Sequence, residues 1–152
     1  MNRAVDKANE IISRFKTNDP EKILEKLGVD ILDVSLKGRL KEIFFGDHIV
    51  LKKGLEREER RQLLAHALCH HLMHSGNHWQ TKNRAYSFGN YHERQADVFA
   101  AYLLIPTDEL KKIISPSLAT HQVAEHFNVS AEFADFRLKL IKHYQLTKQV
   151  IL

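Results

Sequence analysis

Two short stretches of this chain place metal-binding side chains four residues apart, and together they limit how it can fold. One is His66-Ala67-Leu68-Cys69-His70; the other is Glu93-Arg94-Gln95-Ala96-Asp97. On a helix each residue advances about 100°, so positions four apart differ by only about 40° and stand one turn above each other. The two imidazoles therefore share a face of one helix, and the two carboxylates share a face of the next. For both sets to serve one site, the helices must pack side by side. Ala96, Ala100 and Ala101 are small enough to permit a close approach, and Leu64, Leu68 and Leu72 supply an apolar stripe that anchors the first helix on a core.

Histidine is also over-dense in this region. The chain has ten, and His66, His70, His71, His74, His78 and His92 fall within one 27-residue stretch. A catalytic zinc site takes three protein ligands and leaves the fourth position open. His66, His70 and Glu93 can supply those three, and Asp97 can accept the N–H of a ligand histidine, fixing its tautomer. The plain alternatives are histidines that only pack, and an acidic pair that only complements the positive end of a helix dipole. On that reading the chain is a metal-free structural domain.

Hydrophobic periodicity outlines the remainder. Residues 3–16 read as a helix; Asp19 is a candidate N-cap with Pro20 at the first helical position, and the helix over 21–27 stops at Gly28. Residues 29–36 and 40–53 read as strands, with a hairpin between Glu42–Phe45 and His48–Leu51 turning at Gly46-Asp47. Helix is expected from Leu55 to about His74, loop over 75–91, and helix again from about His92 to Leu104, ended by Pro106. Thr107 is expected to cap a short helix. The segment 115–147 reads as helix-turn-helix-like, with its break at Asn128-Val129-Ser130. The fold class expected is α+β, helices packed on a small, mainly antiparallel sheet in one domain spanning 1–152.

At 152 residues one core suffices, and 43% hydrophobic with 28% charged residues is ordinary for a globular protein. The single cysteine, Cys69, has no internal disulfide partner, the start is too charged for a signal peptide, and no apolar run approaches a membrane span. A cytoplasmic location is expected. The formal charge of +4 is spread among interleaved acids, which favours a solvated surface over nucleic-acid binding.

LLAHALCHHLMH followed by YHERQADVFAAYLLIP resembles the ImmA/IrrE metallo-endopeptidases, whose pattern is H-E-x-G-H-x-x-x-H, then E-x-x-A-[ND]-x-F-A-x-x-L-L-x-P. Glu93, Ala96, Asp97, Phe99, Ala100, Leu103, Leu104 and Pro106 match the second half. The resemblance covers most of the chain. It implies a zincin-like fold, Zn2+ held by His66, His70 and Glu93, and Asp97 bracing a ligand. It also implies a protein substrate such as a helix-turn-helix repressor encoded nearby in a mobile element.

Two positions depart from the pattern. Cys69 stands for a glycine and is tolerable as a small apolar residue, a metal-bound thiolate being the other reading. Ala67 stands for the glutamate that moves protons in H-E-x-x-H peptidases, and a methyl group cannot do so. His71, His74, His92, Tyr86 and Tyr91 are candidate substitutes, and His74, on the ligand face, could stabilise an oxyanion or simply pack. A natural pseudo-peptidase, a substitute base and a deliberate glutamate-to-alanine exchange all stay open. The alternative function is a non-catalytic metal-binding or DNA-binding module using Arg137, Lys139 and Lys142, although Glu125, Glu132 and Asp135 dilute that charge.

Overall fold

In the computed structural model the described residues are 3–74, 78–81 and 91–151. Helix α1 (Arg3–Phe15) turns Ala4, Ala8 and Ile11 inward at helical spacing. Asp19 caps α2 (Pro20–Lys26), its Oδ1 accepting from the Glu21 backbone N–H at 3.0 Å, and Pro20 occupies the first turn as expected. The chain leaves α2 through Gly28, whose φ of +76° is a left-handed conformation that glycine adopts without strain.

Strands β1 (Asp30–Val34), β2 (Leu40–Phe45), β3 (His48–Lys52) and β4 (His78–Thr81) form one sheet in the order β1-β3-β2-β4. The β2–β3 hairpin has the expected register, Glu42 opposite Leu51 and Phe45 opposite His48, with Gly46 at φ +57° in the turn. β1 pairs with β3 in parallel, so the sheet is mixed while two of its three pairings are antiparallel. Residues 78–81 correct the expectation of a continuous loop over 75–91, since they pair antiparallel with β2 and satisfy its outer backbone groups. A polar segment can pair in this way because ladder hydrogen bonds come from the backbone, whatever the side-chain pattern. The rest of that expected loop, 75–77 and 82–90, lies outside the described residues.

Helix α3 (Arg57–Met73) packs on α4 (Tyr91–Leu104), which also packs on α1, and β2 meets α3 through Lys41–Glu59 and Phe44–His71. From Leu64 to His70 every residue of α3 is buried, so the helix is wrapped on all faces instead of presenting one apolar stripe. Buried Leu64, Leu68, Leu103, Leu104 and Phe99 form the middle of the core, and each such side chain contributes about 1.5–3 kcal/mol of apolar burial. Arg60 joins α3 to Glu21 at 2.9 Å and to Asp33 of β1.

The C-terminal segment folds as α5 (Thr107–Ile113), α6 (Thr120–Phe127) and α7 (Ala131–Ile151), with Asn128 left-handed at φ 54° in the expected break. Thr107 does not cap α5: it is the first residue of the helix, and Pro106 precedes it with no side-chain cap. Its hydroxyl accepts from Arg137 at 3.0 Å instead. Gln62 of α3 accepts from the Ser130 backbone N–H at 2.8 Å, and Arg61 donates to the carbonyls of Phe127 and Asn128. The helix pair α6–α7 is thus fastened to α3.

Arg137 overturns part of the helix-turn-helix reading. It is 1% exposed, donates from Nε to the Ile105 carbonyl at 3.0 Å, and stacks over the Tyr102 ring at 3.7 Å. Burial pulls its pKa down to about 10. A guanidinium sequestered under the end of α4 cannot reach a phosphate. Lys139 is exposed but paired with Asp135 at 2.7 Å. Arg137 serves the fold, so Arg137→Ala is expected to cost about 2–4 kcal/mol through lost donors and a cavity. The urea midpoint would fall accordingly; a midpoint equal to the parent's would show those contacts to be idle.

Candidate metal centre

The side-by-side packing of α3 and α4 brings three of the expected residues onto one point. His66 Nε2 lies 3.1 Å from Glu93 Oε2, His70 Nε2 lies 3.1 Å from Glu93 Oε1, and the two Nε2 atoms are 3.0 Å apart. Both imidazoles are buried, at 3% and 0% exposure, whereas the Glu93 side chain keeps 26%. The group is therefore sunk in the core on the α3 side and opens towards solvent at the first turn of α4. Asp97, one turn further along α4 and 2% exposed, places Oδ1 3.0 Å from His66 Nδ1.

A hydrogen-bond network surrounds the two rings. A proton on His66 Nδ1 is donated to Asp97, which turns Nε2 towards Glu93 and His70. His70 Nδ1 stands 2.9 Å from His74 Nδ1, His74 Nε2 stands 2.9 Å from Gln95 Oε1, and Gln95 Nε2 donates to the Tyr91 hydroxyl at 3.0 Å. The Nε2 atoms of His66 and His70 and both oxygens of Glu93 thus converge on one another. Donor atoms about 2.0–2.1 Å from a tetrahedral metal lie roughly 3.3 Å apart. The observed separations of 3.0–3.1 Å fit that requirement, so His66, His70 and Glu93 can hold a metal ion.

The other candidates separate clearly. His74 belongs to the network and stacks on His92 at 4.3 Å, with rings 4° from parallel. His71 points elsewhere and meets Phe44 of β2 edge-on at 6.2 Å. Tyr91 reaches the network through Gln95, and Tyr86 lies outside the described residues. Ala67 is fully buried on α3. Gln95 went unnoticed in the sequence, where only its i,i+4 spacing to Tyr91 could have signalled it.

A cleft of about 750 Å³ reaches His66 and Asp97 from the side of α6 and α7. Glu59, Glu125 and Glu132 line it with Lys41 and His121, so its wall is predominantly acidic.

Cys69 contributes no ligand among the described residues. It is fully buried, its Sγ contacts Met73 Sδ at 3.7 Å, and burial pushes its thiol pKa upward. A thiol held protonated and covered is unreactive. Cys69 is expected to resist a water-soluble disulfide reagent in the folded protein at pH 8 and to react at once in denaturant; rapid labelling of the folded chain would refute this placement.

Comparison with known proteins agrees with the geometry. The family model of the IrrE N-terminal-like domain, peptidase M78, matches residues 24–139, a span that contains both site helices. The chain is also similar to the phage-like element PBSX protein XkdA of Bacillus subtilis (strain 168), at 37% identity over 97 residues. That alignment covers 62% of this chain and 48% of the relative, so the chain spans about half the length of the curated relative it matches. With that match spanning most of its length, the chain belongs to the IrrE N-terminal-like family of metallopeptidase-type domains.

Proposed function

We propose that this protein holds Zn2+ through His66, His70 and Glu93, and that it acts as an endopeptidase-type domain on a protein partner such as a helix-turn-helix repressor. The observation that carries this reading is the convergence of two imidazole nitrogens and one carboxylate at 3.0–3.1 Å in a buried setting. Nitrogen and oxygen donors in that number and geometry suit zinc and leave a fourth position for a reactant.

When bound, zinc supplies Lewis-acid chemistry, polarising a peptide carbonyl and making water a better nucleophile. The chain's own residues supply the rest. Asp97 holds the His66 ring in one orientation, and His74 does the same for His70, which lowers the cost of assembling the site. Glu93 offers its carboxylate at the solvent-facing end of the group. The acidic wall of the adjoining cleft favours a basic partner segment, and a DNA-binding protein carries such segments. Position 67 contributes no proton acceptor, and the loss of a general base slows hydrolysis by about 10²–10⁴-fold. The alternative of a DNA-binding module is weakened by the burial of Arg137.

Metal analysis of the purified chain is expected to find one zinc per chain, and a chelator is expected to lower the melting temperature by several degrees. An unchanged melting temperature on metal removal would sink the reading. Asp97→Ala should weaken zinc binding about 10–100-fold in competition with a chelating dye while leaving the circular dichroism spectrum intact. His66→Ala should abolish both metal retention and any chelator-sensitive cleavage of a neighbouring repressor.

A further inference from the structure

The cleft beside the metal centre is walled by α3 on one side and by α6 and α7 on the other. Arg61 donates to the Phe127 and Asn128 carbonyls and Gln62 accepts from the Ser130 backbone N–H, so the two walls are tied together. A cleft formed in advance costs little to occupy. Ala100, Ala124 and Phe133 line it and are buried, which makes its floor apolar; Glu56, Glu125 and Glu132 line it and are exposed, which makes its rim acidic.

That rim is not neutralised from within. Lys41 also lines the cleft, but Glu59 already pairs with it. Glu56, Glu125 and Glu132 have no ion-pair partner among the described residues. Carboxylates set round an apolar floor attract cationic side chains and repel phosphate, so the occupant is not a nucleic acid. A volume of about 750 Å³ suits a short stretch of chain. Along α3 the lining runs from Glu56 to His66, about 15 Å at the helical rise, which four to five extended residues span.

The inner end of the cleft decides its role. It is closed by His66 and Asp97, at 3% and 2% exposure, and neither His70 nor Glu93 lines it. Asp97 meets the Nδ1 side of His66, whereas Glu93 and His70 gather at Nε2, across the ring. The cleft therefore stops behind the ligand histidine. The metal group opens elsewhere, where the Glu93 side chain keeps 26% exposure.

We infer that the cleft is a docking exosite for a short basic, amphipathic segment of the protein partner, distinct from the place where a bond is cut. Lysine or arginine side chains meet Glu56, Glu125 and Glu132, alternate apolar side chains rest on the floor, and the bond to be cut enters from the Glu93 side. The inference rests on the reading of His66, His70 and Glu93 as a peptidase-type metal site. Partner choice on this account comes from binding energy gained away from the reacting bond.

The test uses the zinc-loaded full chain and a fluorescein-labelled alternating lysine–leucine hexapeptide, followed by anisotropy. The parent chain should bind it saturably, and raising salt from about 50 to about 200 mM should weaken binding. Glu125→Lys combined with Glu132→Lys should raise Kd about tenfold or more, and an alternating glutamate–leucine hexapeptide should not bind. Acetohydroxamic acid, at a concentration that saturates zinc, should leave Kd unchanged because it occupies the other opening. Equal affinity of parent and double variant would place the peptide elsewhere and overturn the inference, and displacement by the hydroxamate would do the same. A parent dimer that the double variant splits into monomers would assign the cleft to a second copy, which also overturns it. Should the double variant fail to fold, Glu125→Gln alone is read in the same way, with an expected rise of about threefold. Zinc content of the same samples separates the two levels. One zinc per chain without peptide binding removes the exosite and leaves the metal centre; salt-sensitive peptide binding by a chain that takes up no zinc supports the cleft and overturns the metal reading instead.

Discussion

The interaction on which this structure turns is the mutual approach of His66, His70 and Glu93, three groups whose facing atoms all carry lone pairs. Packed around a cation, they become a reason for α3 and α4 to lie together. The site is thus coupled to the fold, because the two helices that form it also build the middle of the core. Asp97 and the chain His74–Gln95–Tyr91 extend the coupling by holding the rings in place through hydrogen bonds.

The surrounding elements hold those helices at the required separation. The sheet backs α3, α1 backs α4, and α6–α7 is fastened to α3 through Gln62 and Arg61. Arg137 closes the end of α4 by meeting the Ile105 carbonyl and covering Tyr102. A segment that reads in one dimension as a DNA-binding motif is, in three dimensions, a brace. Its central basic residue faces inward because α4 ends in carbonyl groups that need donors.

Position 67 carries alanine where the H-E-x-x-H pattern has glutamate, and the architecture accommodates it. Alanine is a good helix former and small, so α3 continues through it without disturbance.

Much of this was legible in the chain itself. The four-residue spacings of His66/His70 and Glu93/Asp97, the Asp19-Pro20 helix start and the Gly46-Asp47 turn are local features, set by helix pitch and backbone sterics within a few residues. They appear in the structure where the spacing puts them. Other features were not legible. The parallel pairing of β1 with β3, the pairing of 78–81 with β2 and the inward turn of Arg137 join residues far apart in the chain. The sequence by itself determined which side chains share a helical face, because that follows from periodicity. Only tertiary packing decided which faces meet, because that depends on how distant surfaces fill space against one another.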